Sequence, residues 1–333
     1  MMITSARGQC SKDQKVAIGV DVGGTKILVG YVTEDGHVLE SRQYSMDRTS
    51  QLSALRSIDE AIDHFLQLFG DGPPAEGIGI GLVGHIDPEA GVWKHAINIP
   101  IHEPIHLSEK MEKRYGLPVT LDNDVRCATR AELLYGAGQE FKHFIYLNLG
   151  TGISMGIVSD GRLVRGAANY AGELGHMSVN TVGPRCSCGR IGCMETMASG
   201  GGMILRAMDL LSSYPQSTLN QYASRLQTDR IFIEALQGDL LAARIRNEAL
   251  GALQISLTNV VNLLNPEAII VGGGVSRDKS IVDDLEAHLR TTALPPAANA
   301  LVCIEQSKLE VGRVGLVGAA SLVWGGGINE THR

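Results

Sequence analysis

The chain of 333 residues lacks any run of about twenty uninterrupted apolar residues, the length a membrane-spanning helix needs. Residues 1–15 are polar and lack the apolar stretch of about 7–15 residues that marks a secretory signal. Positive charge is in deficit. The 29 Lys and Arg against 36 Asp and Glu leave a net charge of −7, with no electrostatic footprint for nucleic acid or an anionic membrane. Cysteine is scarce and uneven: of six, Cys10, Cys127 and Cys303 are scattered while Cys186, Cys188 and Cys193 crowd together, which is not a secreted disulfide framework. Aromatics are only 5%, yet 44% hydrophobic residues are too many for global disorder. Together these features predict a cytoplasmic protein with neither nucleic acid nor membrane as partner.

Glycine is in excess, at 40 residues, or about 12% against a usual ~7%. It falls in short clusters between apolar runs and not in a G-X-Y period, which excludes collagen-like and low-complexity readings. At about 150 residues per domain the length predicts two domains. Residues 16–22 form a β-branched-rich run ending in Gly23-Gly24-Thr25, residues 27–32 resume it, and Asp35-Gly36 turns into a third strand around Val38. Apolar spacing predicts a helix over 52–69, then a strand over 77–82, a long Pro- and His-rich loop over 83–106, and a helix over 107–115. A strand over 118–121 and a helix over 125–135 follow, with Asn123 or Asp124 near its N-cap. Residues 145–158, closed by Asp160-Gly161, then echo residues 18–32, closed by Asp35-Gly36. A duplication accounts for this, and two like domains facing each other across a cleft would follow. The remainder reads as helices over 194–264, a strand over 267–271, a helix over 278–289, a strand over 301–304 and a small-residue helix over 315–322.

Several patterns could carry chemistry. Turns of small residues let backbone N–H groups approach phosphate oxygens. Gly23-Gly24-Thr25 and Gly150-Thr151-Gly152 are two such turns, with Asp21 before the first and Lys26 after it to handle Mg²⁺ and phosphate charge. Either turn alone reads as an ordinary hairpin; two copies in a duplicated setting favour phosphate. Neither fits a Walker loop or a dinucleotide fingerprint. Gly272, Gly273 and Gly274 after a strand suit a nucleotide contact or a plain strand-to-helix turn equally well. In Asp122-Asn123-Asp124, an Asp at a strand end suits general-base work on a hydroxyl and Asn123 suits a polyol, although local preference alone favours a helix cap. The strongest local signal is His176-x₉-Cys186-x-Cys188-x₄-Cys193, a Cys₃His set with the composition of a closed, structural Zn²⁺ site. A redox pair and chance clustering are its rivals. Zinc there would bring together Glu173, His176 and Glu195; otherwise both glutamates are solvated residues at helix starts.

These stretches, with Gly172-Glu-Leu-Gly-His176 and Val271-Gly-Gly-Gly274, run in order from about residue 16 to residue 323 and resemble the ROK family of sugar kinases, in the actin- and hexokinase-like superfamily. The resemblance is to its glucokinase and N-acetylhexosamine kinase members. It implies an α/β fold of two ribonuclease-H-like (actin/hexokinase-type) domains around a cleft, with a zinc-binding loop over 176–193. The expected division is a polar leader over 1–15, a small ATPase-like domain over 16–122 plus about 316–333, and a larger domain over 123–315. Asp124 matches the general base that takes the proton of the attacking sugar hydroxyl. Asn98, Asn123, Asp124, Glu173, His176 and Glu195 match sugar contacts, with His176 also a ligand of structural Zn²⁺ beside Cys186, Cys188 and Cys193. Asp21, Gly23, Gly24, Thr25 and Lys26, then Gly150, Thr151 and Gly152, match the phosphate side of Mg-ATP, and Gly272, Gly273 and Gly274 the adenosine side.

The resemblance therefore implies transfer of the ATP γ-phosphate to a hexose or N-acetylhexosamine hydroxyl, typically the 6-hydroxyl, by a cytoplasmic homodimer. The departures are Val83 where Pro is usual, Ser154 where Gly is common, and Val125 where Ala is usual. The first lies in a stretch that also carries His85, His95, His102 and His106, so an unusual sugar or a cyclitol is an alternative substrate. A sugar-responsive regulator is a further alternative, but with only about fifteen residues before Val16 and an acidic chain, a basic helix-turn-helix domain is not expected.

Overall fold

The computed structural model describes residues 14–97, 99–310 and 312–325. Most of the expected leader (residues 1–13) and residues 326–333 of the expected C-terminal segment lie outside the described residues. The chain divides into two compact units, one of residues 1–139, 161–171 and 312–333, the other of residues 140–160 and 172–311.

In the first unit, the buried run of β1 (Val16–Val22) pairs antiparallel with β2 (Lys26–Thr33), which pairs antiparallel with the edge strand β3 (Val38–Ser45). Helix α1 (Gln51–Phe69) starts where the Ser50 hydroxyl accepts the Ser53 N–H at 3.0 Å. It buries Ala54, Ile58, Ala61, Ile62 and Phe65, the helical stripe expected from spacing, with Phe65 tilted on the Tyr31 ring at 5.1 Å between centroids. The chain returns as β4 (Ala75–Leu82), parallel to β1.

The stretch over 83–106, expected as a loop, holds a small antiparallel sheet of β5 (His85–Asp87), β6 (Val92–His95) and β7 (Ile105–His106). Strands of two to four residues between Pro88, Pro100 and Pro104 are too short to show a period. Burial of Trp93, Ile86, Ile99 and Ile101 holds the sheet in the core, and the Trp93 indole N–H donates to the Val83 carbonyl at 3.0 Å. Helix α2 (Leu107–Tyr115) leads to β8 (Val119–Asn123), parallel to β4, and then to α3 (Asp124–Tyr135).

The second unit repeats the scheme. Strand β9 (Phe144–Leu149) pairs antiparallel with β10 (Ile153–Ser159) and parallel with β12 (Ala268–Gly272), which pairs parallel with β13 (Cys303–Gln306). The intervening residues 161–171, with the two-residue strand β11 (Arg162–Leu163), cluster with the first unit. In each unit one central strand thus has an antiparallel partner on one side and two parallel strands in succession on the other, as duplication predicts. The predicted helical stretch resolves into α4 (Met194–Ala198), α5 (Gly200–Leu210), α6 (Thr228–Leu236) and α7 (Leu240–Leu264), with short 3₁₀ turns between them. These pack on the sheet with α8 (Lys279–Thr292) and α9 (Pro295–Ala300). The two like α/β domains read from the sequence are therefore present.

Their division differs from the expected one at residues 122/123. Helix α3 belongs to the first unit because it packs on α10 (Val314–Ser321). The approach is backbone to backbone: a methyl group on Gly318 would overlap the Cys127 carbonyl, and one on Gly79 of β4 would overlap the Ala319 carbonyl. Among the described residues, no helix is long and apolar enough to cross a membrane.

Candidate functional site

In open α/β sheets, ligands gather beyond the carboxyl ends of the parallel strands, where the chain turns away and leaves backbone groups uncommitted. In the first unit those ends belong to β1, β4 and β8. Asp21 lies near the end of β1, half-buried, with its carboxylate against Gly315. Burial pushes its pKa up to about 6 against the pull of Lys26. Gly23, Gly24 and Thr25 follow as the turn into β2, closed by Gly23 N–H donating to Lys26 O at 2.9 Å, with Thr25 and Lys26 exposed.

At the end of β8, Asn123 is the N-cap of α3: its Oδ1 accepts the N–H groups of Val125 at 3.0 Å and Arg126 at 3.2 Å. Its amide also donates to Gly84 O at 3.1 Å, tying β8 to the turn after β4. The cap reading thus holds for Asn123, while Asp124 begins the helix, partly exposed. The Asp124 Cα would lie 3.6 Å from a methyl group on Gly81, and Gly81 is the sheet partner of both Asp21 and Asp122. The tighter neighbour is Cys127 Sγ, which the same methyl group would meet at 3.1 Å, so glycine at this point lets α3 settle onto the row that holds Asp21.

Residues 161–171 are held down by charge that sequence reasoning missed. Arg165 donates to both oxygens of Asp122, at 3.1 and 2.8 Å, and Asp122 is 1% exposed. Asp122 Oδ1 also accepts the Asn123 N–H at 2.8 Å. Arg126 donates to the carbonyls of Asn169 and Ala171. His85 contacts Ala168 O at 2.9 Å and stacks on Tyr170 at 4.1 Å. Partners more than forty residues apart leave no sequence period. The one available signal was an acid at the end of a strand, Asp122 between Leu121 and Asn123.

In the second unit, Gly150, Thr151 and Gly152 join β9 to β10. The turn is closed by Gly150 N–H donating to Gly152 O at 3.0 Å. The first amides of α5 hold it from one side: Gly200 N–H donates to Gly150 O at 2.9 Å and Gly201 N–H to Thr151 O at 3.1 Å. Sequence reasoning had not singled out Ser199, Gly200, Gly201 or Gly202. Gly272 ends β12 opposite Asn148, and Gly273, at φ +91°, lies against the end of β9, where a side chain would overlap the Leu149 carbonyl. The second and third glycine clusters are therefore neighbours. Glu173 is exposed beside β10, where Gly172 O accepts the Met155 N–H at 2.9 Å. Glu195 accepts the Ile153 N–H at 3.0 Å.

His176, Cys186, Cys188 and Cys193 converge, with their ligand atoms all within 4.8 Å of one another. Cys186 Sγ is 3.6 Å from His176 Nδ1, and Cys188 Sγ is 3.6 Å from Cys193 Sγ. Tetrahedral zinc, with Zn–S about 2.3 Å and Zn–N about 2.0–2.1 Å, sets S···S edges at about 3.8 Å and S···N edges at about 3.6 Å. The donor set therefore fits zinc, with Nδ1 as the histidine ligand, and all four positions would be filled by protein. His176 Nε2 is left facing Glu173 Oε2 at 4.0 Å. The backbone N–H and side chain of Arg190 bring the Cys188 thiol down to about 6, while burial pushes its neighbour Cys193 up to about 12. Asn98, the remaining expected sugar contact, lies outside the described residues.

A family model described as the ROK family matches residues 17–325. The glucokinase of Thermotoga maritima is 33% identical over 311 residues, covering 92% of this chain and 96% of its own. The ROK family glucokinase from Streptomyces griseus in complex with glucose and AMPPNP is 32% identical, with a TM-score of 0.78 over 93% of this chain and 100% of that one. A ROK family transcriptional regulator, a homologue of the E. coli MLC protein, is 26% identical, with a TM-score of 0.82 over 95% of this chain and 79% of that one.

Proposed function

The chain belongs to the ROK family and is an ATP-dependent carbohydrate kinase, and from that premise we propose that it transfers the ATP γ-phosphate to the 6-hydroxyl of a hexose or N-acetylhexosamine, with Asp124 as general base. Asp124 accepts the proton of the attacking hydroxyl, the sugar oxygen bonds to the γ-phosphorus, and the bond to the β-phosphate oxygen breaks to release ADP. Phosphoryl transfer asks little covalent chemistry of the protein; position and charge supply most of the rate. The turn over 23–25 with Lys26 and the turn over 150–152 serve the phosphates, Asp21 serves the Mg²⁺ side of Mg-ATP, and Gly272, Gly273 and Gly274 serve the nucleoside. Asn123, Glu173, His176 and Glu195, with Asn98, serve the sugar. Zinc held by His176, Cys186, Cys188 and Cys193 supplies structure and no reactive position, since four protein ligands close its shell.

The observation that carries the assignment is Asp124, partly exposed in the first turn of α3 and seated on Gly81 beside the row of Asp21. ADP release is measured on glucose, mannose, fructose, allose, N-acetylglucosamine, N-acetylmannosamine and a cyclitol. On the sugar that turns over, Asp124→Asn lowers kcat by about 10²–10⁴-fold while sugar binding is kept; near-normal kcat removes Asp124 as the base. A sugar-responsive regulator is the second reading, favoured by the likeness to the MLC homologue. Sugar binding without ADP release on any member of the panel would select it.

A further inference from the structure

Helix α4 joins the cysteine-rich loop to the second glycine turn. Cys193 is its N-cap and Glu195 its second residue. Glu195 Oε2 reaches the turn and accepts the Ile153 N–H at 3.0 Å, and it would stand 2.7 Å from a methyl group on Gly152. Ser199 then caps α5, its hydroxyl accepting the Gly202 N–H at 2.9 Å. The next two amides of α5 draw the carbonyls of Gly150 and Thr151 toward the helix.

The direction of those carbonyls decides what the turn presents. In a planar trans peptide the C=O and the following N–H point in opposite directions, and no peptide bond among the described residues is cis. With Gly150 O and Thr151 O turned into α5, the N–H groups of Thr151 and Gly152 point the other way. Successive N–H groups facing one side make an anion-binding concavity. That arrangement needs an anchor at its far end, where the chain enters β10, and the carboxylate of Glu195 on the Ile153 N–H is that anchor.

We infer that Glu195, beyond contacting the sugar, is a positioning residue for the ATP phosphates, holding the 150–152 turn in its donor-outward form. The inference rests on the reading of that turn as a phosphate site. Affinity for nucleotide then depends on Glu195 even with no sugar present. What matters is an acceptor oxygen on the Ile153 N–H, not the negative charge, so glutamine substitutes and alanine does not.

The test is calorimetric titration of Mg-AMPPNP into zinc-loaded protein without sugar, with zinc content measured on every variant. Glu195→Ala is expected to bind about tenfold more weakly, as loss of the hydrogen bond that holds the Ile153 N–H implies, and Glu195→Gln within twofold of the parent. Because Glu195 is near Cys193, Gly201→Ala provides a second probe. Its methyl would stand 2.9 Å from Thr151 O and displace the turn from α5, weakening nucleotide binding with zinc retained. Parent-like AMPPNP binding by Glu195→Ala and Gly201→Ala overturns the inference and leaves the kinase reading standing. Equal weakening by Glu195→Gln and Glu195→Ala overturns the hydrogen-bond account. Absence of AMPPNP binding by the parent protein overturns both the inference and the kinase reading.

Discussion

Replacing Arg165 by Met tests the most consequential buried charge in the first unit. Asp122 is 1% exposed and takes two hydrogen bonds from the Arg165 guanidinium, at 3.1 and 2.8 Å. Removing one partner of such a pair leaves an uncompensated carboxylate in low dielectric, which costs about 3–5 kcal/mol. Two groups remain to help it: the Asn123 N–H at 2.8 Å and the Arg126 guanidinium at 4.0 Å. The expected loss therefore lies at the lower end, about 3 kcal/mol. Both tryptophans of the chain, Trp93 and Trp324, belong to the first unit, so intrinsic fluorescence in a urea titration follows that unit. With m near 2–3 kcal/mol/M, the midpoint falls by about 1–1.5 M. Asp122→Asn combined with Arg165→Met removes the stranded charge and is expected to recover part of the loss. A single-variant loss under about 1 kcal/mol, or a double variant less stable than Arg165→Met alone, would refute the reasoning.

Asp21 provides a pH test. Its folded carboxyl titrates at about 6, above the unfolded value near 3.8. The folded state therefore holds the proton more tightly, and stability is lost as pH rises from about 4 through 6. Asp21→Asn is expected to be more stable than the parent at pH 7.5, by up to about 3 kcal/mol, with no gain at pH 3.5; an equal difference at both pH values would exclude burial of the charge as the cause. Cys188→Ser removes one of the four metal donors. Zinc content should drop well below one per chain, and trypsin should cut faster at the exposed Arg185 and Arg190, with unchanged zinc and cleavage counting against the site.

How much of this was legible before the fold was known differs by feature, for physical reasons. Strands β1 and β2, helix α1 and the repeat around 145–158 announce themselves because periodicity and turn residues are local properties. The Cys₃His set was legible from ligand chemistry and spacing, and the structure brings all four residues together. The sheet over 85–106 was not, because its strands are too short to show a period and owe their burial to Trp93. Asn123 was ambiguous between a cap and a polar contact. It caps α3, and its amide also reaches Gly84, a partner 39 residues away that no local preference encodes.

By itself the sequence determined the element types along most of the chain, the duplicated α/β plan, the metal donors and the glycine turns. Each of these depends on residues close in the chain or on intrinsic ligand chemistry. Only the tertiary structure decided that Arg165 meets Asp122, that α3 and residues 161–171 join the first unit, that His176 turns Nδ1 toward the thiols, and that Glu195 and the start of α5 grip the 150–152 turn from two sides. Those pairings join residues from ten to about 190 positions apart. They form because a buried charge or backbone group removed from water must find a partner wherever packing supplies one.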